Sequence, residues 1–128
     1  MLQFEGQYLT HQTAILRFIG RKTGLYPTST RTLAEIGAAS DVDTLISCCE
    51  DLIGLIAGPA FRRAKTEAEK LEVGASHQPG VVRHLQNFQR LLGTNPTFSP
   101  PTLTIAECAV HVILNPLLGV PCALLKHF

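Results

Sequence analysis

The chain has 128 residues, of which 45% are hydrophobic and 16% are charged, and its net charge is +1. This composition is typical of an ordinary globular chain, and the near-neutral charge gives no reason to expect nucleic acid or an anionic membrane as a partner. No apolar run approaches the length of a bilayer span, and the first residues lack the charged and apolar regions of a signal peptide. We therefore expect a cytoplasmic protein.

The four cysteines and five histidines do not form a recognisable site. None of the cysteines has CxxC spacing, and the histidines are not paired at the spacing of metal ligands. We therefore expect reduced, buried thiols and assign no metal. The cysteines are Cys48, Cys49, Cys108 and Cys122.

The first 27 residues predict a strand–strand–helix unit. Two short alternating strands, Leu2–Phe4 and Gln7–Leu9, flank a turn, and a helix follows over residues 11–23 with Thr10 as its expected cap. Gly24 fits the left-handed position after a helix. The helix has one apolar stripe, formed by Ala14, Ile15, Phe18 and Ile19.

The rest of the chain predicts helices. A long helix over residues 32–57 has a continuous apolar stripe and ends at Gly58-Pro59. A charged helical stretch over residues 61–73 is broken by residues 74–78, and Pro79 begins the next helix. The stripe of the long helix comprises Val42, Leu45, Ile46, Cys49, Leu52, Ile53 and Ile56.

The last helix predicted with a clear start covers about residues 105–115. Thr104 and Glu107 form the Thr-x-x-Glu pattern of a capping box. The helix is nearly apolar all round, as in the centre of a bundle, and His111 is its one ionisable interior residue. Pro116 is expected to stop or kink it, and residues 120–128 predict the beginning of another helix.

Two motifs carry a resemblance to a known family. The run GQYLTHQTAILRFIGRKTGLY, from Gly6 to Tyr26, resembles the end of the thioredoxin-like domain of cytosolic glutathione S-transferases. The run LTIAE, from Leu103 to Glu107, resembles the start of the core helix in that family's all-α domain. The implied fold is mainly α: residues 1–27 are a residual β-β-α half of a thioredoxin-like domain, and residues 28–128 a glutathione-transferase-type helical bundle, incomplete at its end.

The resemblance also implies a glutathione site at the start of the first helix. The family reads Gln-Ser where this chain has His11 and Gln12, so its serine hydroxyl is missing unless Thr13 replaces it through a shift of one residue. Backbone amides at a helix start favour a carboxylate whatever the side chains. His11, Gln12 and Thr13 are therefore candidate glutathione-binding residues, or simply polar residues of a solvated first turn.

Function remains open between three interpretations. The family's catalytic Tyr, Ser or Cys belongs to a unit that aligns upstream of Met1, so the resemblance implies a homodimeric transferase-like protein that has no catalytic residue and is inactive alone. The alternative is a non-catalytic interaction module of the same fold, and the third is an incomplete sequence of an ordinary transferase. Asp43, Glu50 and Asp51 are interpreted as solvated charges on a helix face rather than a metal cluster.

Overall fold

The computed structural model describes residues 1–29, 31–99 and 102–119 and, within them, is mainly helical with one antiparallel pair of strands. This confirms the mainly α prediction. The elements are β1 (Leu2–Phe4), β2 (Gln7–Leu9), α1 (Gln12–Thr23), α2 (Leu33–Ala57), α3 (Pro59–Arg63), α4 (Glu67–Leu92) and α5 (Ile105–Gly119).

The hairpin has the predicted strands and is attached to α1 through aromatic packing. Leu2 pairs with Leu9 in the ladder, and the turn is closed by positive φ angles of 46° at Glu5 and 79° at Gly6. Such angles at both central residues suit the twist of a short hairpin. The Phe4 ring lies edge-on to the Phe18 ring, with centroids 5.2 Å apart. The hairpin therefore packs against α1.

Helix α1 ends as predicted but begins one residue later. Gly24 adopts a left-handed conformation with φ of 75°, and the Leu25 N–H donates to the Gly20 carbonyl at 2.8 Å. The residue before the helix is His11, with φ of 65°, and no side chain caps the start. The prediction of Thr10 as the cap is wrong, because the turn at His11 separates Thr10 from the first helical residue.

Helix α2 is the centre of the molecule. Five residues of its predicted stripe are buried, and the helix packs against α4 on one side and α5 on the other. Thr32 and Glu35 form a complete capping box at its start. The buried residues of the facing helices are Val81 and Phe88 of α4, and Ile105, Ala106, Val110 and Ile113 of α5.

The helical segment Leu33–Arg63 is long and apolar enough to cross a membrane by length and composition, with a hydropathy of 1.4. The prediction that no apolar run approaches a bilayer span is therefore wrong for this segment. The same test is passed by the core helix of a globular domain; here five residues of the α2 stripe are buried in the core, and 28% of the apolar window is buried. The finding is thus weak evidence for a membrane.

Helix α4 corrects the prediction of a break at residues 74–78. One helix runs from Glu67 to Leu92 with Pro79 inside it. Proline removes one helical hydrogen bond, but packing against α2 overrides this local cost. At the crossing, α4 approaches so closely that a Cβ added at Gly80 would lie 3.0 Å from Leu55 Cδ1.

A histidine of α4 completes the hydrogen bonding at the end of α2. The Leu55 carbonyl would pair within a helix with the amide of residue 59, which is a proline and has no N–H. The Nδ1 atom of His77 lies 2.9 Å from that carbonyl oxygen. Since the carbonyl only accepts, His77 carries a proton on Nδ1 and donates it. The two helices are joined at this point.

The start of α5 has the predicted capping pair, in a modified form. The Thr104 N–H donates to the Glu107 carboxylate at 2.7 Å, and the Thr104 hydroxyl accepts from the Ala106 N–H at 3.2 Å. Ser99 also donates its N–H to Glu107, at 2.9 Å. Burial raises the pKa of Glu107, but the hydrogen bonds from Thr104 and Ser99 outweigh it and leave the pKa below its ordinary value.

The prediction of an interior His111 is wrong, and of the two effects expected of Pro116 the stop is excluded. His111 is exposed rather than interior, because the stripe that faces α2 comprises Ile105, Ala106, Val110 and Ile113 and leaves His111 on the outer side. Pro116 does not stop the helix, which continues to Gly119. The helix predicted for residues 120–128 lies outside the described residues.

Replacing Thr104 by alanine is expected to lower the free energy of unfolding by about 1.5 kcal/mol, because it removes a cap on a buried helix start. Thr104 is 5% exposed. Chemical denaturation in urea measures the loss through the midpoint. Thr32→Ala is the matched control, since Thr32 caps α2 at an exposed position. A loss for Thr104→Ala no greater than that of the control would contradict a contribution from burial.

Candidate functional site

An apolar cleft of about 250 Å³ lies between α1, α2 and α5. Helix α2 contributes its floor, and the other two helices form the walls. Ile19 of α1 and Val112 of α5 stand at the rim, 43% and 65% exposed. The apolar lining residues are Ile15, Leu16, Ile19, Ile46, Ile53, Ala109, Val112 and Ile113.

Polar groups enter this cleft chiefly from the start of α1. Gln12 and Thr13 line it, together with Glu50 of α2. The Thr13 hydroxyl donates to the Glu50 carboxylate, which joins α1 to α2 at this end. Of the three predicted glutathione-binding residues, two therefore reach the cleft. His11 is exposed and does not line it.

The backbone at this end is suited to an anion. The first amides of a helix have no carbonyl partner within the helix, and the helix dipole makes this end positive. No acidic residue of α1 occupies its first turn. His11 precedes these amides with φ of 65° and ψ of 125°, which is an unfavourable conformation for a residue with a side chain. Such strain recurs at ligand-binding sites.

Glu50 is exposed, as expected for a charge on a helix face, and it also lines the cleft. It lies four residues after Ile46 and three before Ile53, so the helical period places all three along one edge of α2. That spacing could have indicated that Glu50 lies beside the apolar residues of α2. The sequence could not indicate its hydrogen-bond partner, because Thr13 is 37 residues away in the chain.

A second polar cluster holds α1 against α2 outside the cleft. The Arg17 guanidinium donates to Asp43 at 2.8 Å, and the Tyr26 hydroxyl donates to the other oxygen of Asp43 at 2.9 Å. The Arg21 guanidinium lies 4.8 Å from the centre of the Tyr26 ring. Asp43 is thus an ion-pair partner rather than only a solvated charge.

This cluster shifts two pKa values. The hydrogen bond to Asp43 and its charge outweigh burial and raise the pKa of Arg17. Burial, followed by the hydrogen bond to Asp43, raises the pKa of Tyr26 above its ordinary value. Both groups therefore keep their protons at neutral pH, and the cluster is a structural contact.

The cysteines differ in exposure, which corrects the expectation that all are buried. Cys49 lines the cleft floor, and burial raises the pKa of its thiol to about 12. Cys48 is half-buried, and burial followed by the charge of Asp51 raises its pKa. Cys108 also lines the cleft but is exposed. Cys122 lies outside the described residues.

The lining of the cleft is mostly apolar and includes one carboxylate, that of Glu50. Over residues 1–29, 31–99 and 102–119, no group of three His, Cys, Asp or Glu residues could hold a metal ion. The cleft combines an aliphatic wall with a helix start and one carboxylate, which suits an amphipathic molecule with a zwitterionic end. Comparison with protein-family models, curated proteins and solved structures returned no match for this chain.

Proposed function

We propose that this chain is a glutathione S-transferase-like domain that binds glutathione conjugates in the cleft between α1, α2 and α5. The carrying observation is that Gln12 and Thr13, which the sequence resemblance names for the γ-glutamyl group, line the polar end of the apolar cleft. The conjugate would place its γ-glutamyl end at the start of α1 and its S-substituent on the aliphatic wall.

The charges at the polar end complement a γ-glutamyl group, which carries a carboxylate and an ammonium on the same carbon. The free amides at Gln12 and Thr13 suit the carboxylate. Glu50 supplies an acceptor for the ammonium, and a hydrogen bond between two charged groups is stronger than one between neutral groups. The strained conformation of His11 fixes where α1 begins, and this orients the first amides of the helix toward the polar end of the cleft.

Binding without conjugation is the proposed activity. The family reaction needs a group that stabilises the glutathione thiolate. Among the lining residues of the described cleft, the Thr13 hydroxyl is already donated to Glu50 and the buried thiol of Cys49 is kept protonated, which leaves the exposed Cys108 thiol of α5 as the remaining lining group with a transferable proton. We propose a homodimeric cytoplasmic domain in which glutathione conjugates bind and are not formed.

Titration with S-hexylglutathione, followed by calorimetry and by NMR shifts of the residue 12–14 amides, tests the proposal. We expect Glu50→Gln to weaken binding about tenfold, which corresponds to about 1.4 kcal/mol. Asp51→Asn is the matched control, because Asp51 is the exposed neighbouring acid on α2 and does not line the cleft. Failure to bind, or an equal loss in the control, would contradict the assignment.

The non-catalytic interaction module is favoured by a different surface. Leu33 and Ile36 at the start of α2 are 87% and 45% exposed, and they lie three residues apart on one face of the helix. In the family that the sequence resembles, dimers form through this part of the chain. A protein that forms dimers in light scattering but binds no conjugate would support this second candidate over the first.

A further inference from the structure

The wall of the cleft is mostly aliphatic. Its apolar side chains are isoleucine, leucine, valine and alanine, the thiols of Cys49 and Cys108 also line it, and no aromatic ring does so among the described residues. Hydrogen-bond donors are concentrated at the α1 end, in Gln12 and Thr13, and the Thr13 hydroxyl is already donated to Glu50. The wall formed by α5 therefore offers apolar surface and one weak hydrogen-bond donor, the Cys108 thiol.

From this wall we infer that the cleft selects conjugates with an unbranched aliphatic S-substituent over conjugates with a nitroaromatic one. The inference rests on the proposed function and adds the substrate class of the same site. The γ-glutamyl end sits at α1 in both kinds of conjugate, so the S-substituent alone decides between them.

An alkyl chain gains from this wall at every carbon. Each fully buried methylene increases affinity about fourfold, because it leaves water for apolar surface. The cleft is open at Ile19 and Val112, so burial is incomplete and the gain falls to about threefold per methylene. Covering these two exposed rim residues is itself part of the gain, since their surface also leaves water.

A nitroaromatic substituent loses more than it gains. Its nitro oxygens accept hydrogen bonds from water, and the wall provides only weak thiol donors to replace them. The ring also finds no aromatic partner, so the additional attraction between stacked or edge-to-face rings is missing. Both effects act against the nitroaromatic conjugate.

The experiment compares four probes on the full chain: S-methyl-, S-butyl-, S-hexyl- and S-(2,4-dinitrophenyl)glutathione, titrated by calorimetry. We expect affinity to rise about tenfold from S-butyl to S-hexyl, with two methylenes added. The dinitrophenyl conjugate should bind at least tenfold more weakly than the S-hexyl conjugate. Equal or tighter binding of the dinitrophenyl conjugate would overturn the inference while leaving the proposed function intact.

A variant at the rim tests whether the wall makes the selection. Val112→Ser should weaken S-hexylglutathione about fivefold more than it weakens S-methylglutathione, since the inference places only the longer chain against the rim. Leu71→Ser is the matched control, because Leu71 is 74% exposed on α4 and does not line the cleft. An equal loss for both ligands in Val112→Ser would overturn the inference. If none of the four conjugates binds, the proposed function itself fails.

Discussion

Gly20→Val is expected to lower the free energy of unfolding by about 3 kcal/mol, at the upper end of the cost of overpacking. Gly20 is the buried residue of α1. A Cβ added there would lie 2.6 Å from Ile105 Cγ2 and 3.1 Å from Tyr26 Cβ. Ile105 is 2% exposed and has no room to withdraw. The variant must therefore move α1 away from α5.

Gly54→Val is the matched control for this prediction. Gly54 also lies inside a helix, but a Cβ added there meets nothing within 4 Å. Since valine is slightly more favourable than glycine in a helix, we expect a change within about 0.5 kcal/mol of wild type. Urea denaturation followed by circular dichroism measures both. Equal midpoints for the two variants would show that α1 does not pack on Ile105 as described.

Asp43→Ala is expected to cost about 2 kcal/mol, with up to about 1 kcal/mol more from the lost Arg17 pair. The main cost arises because the Tyr26 hydroxyl, in a residue only 7% exposed, loses its acceptor. Asp41→Ala is the control, since Asp41 is exposed on the same helix. Thermal or urea unfolding measures the stability of both variants. A loss of stability in Asp41→Ala as large as that in Asp43→Ala would contradict the role of the cluster.

The same cluster predicts a dependence on alkaline pH. The pKa of Tyr26 is raised in the folded protein, so ionisation of the phenol, ordinarily near pH 10, is easier in the unfolded chain. This contribution to stability is present below about pH 10 and is lost as the pH rises through the folded pKa. We expect Tyr26→Phe to have a lower free energy of unfolding at neutral pH but to lack this loss of stability at alkaline pH. In a double-mutant cycle with Asp43→Ala, the two losses of stability should not add, because both substitutions remove the same hydrogen bond.

Local chemistry accounts for the parts of the fold that were predictable. The turn at Glu5-Gly6 and the left-handed Gly24 need only their own backbone preferences, and the stripe of α2 needs only helical periodicity. Thr104 and Glu107 lie within one turn of helix. Each of these features is decided by residues close together in the chain, and each was found in the structure.

The errors have the opposite origin. Gly74 and Pro79 are helix-breaking signals, yet α4 runs through them because α2 packs against it at Leu55 and Gly80. His111 lies on a helix with apolar residues on all sides, so periodicity alone could not say which side faces α2. These outcomes depend on contacts between distant segments, which a single sequence does not display.

The candidate site was half predictable for the same reason. Gln12 and Thr13 came from a resemblance at the start of one helix, and both line the cleft. Glu50 and Cys108 lie on two other helices, and only the folded arrangement brings them to the same space. No local rule joins positions 13 and 50.

The exposed thiol of Cys108 has a practical consequence for experiments on oligomeric state. Oxidation of cysteine follows exposure, so air should act on Cys108 while Cys49, buried and protonated, is spared. Two copies of the chain joined by a disulfide through Cys108 would migrate as a dimer whether or not their apolar surfaces associate. A homodimer formed through the helices persists in solution when reducing agent is added, but it separates into monomers on a denaturing gel without reducing agent. A dimer linked by a disulfide separates when reducing agent is added, but it persists on the denaturing gel without reducing agent.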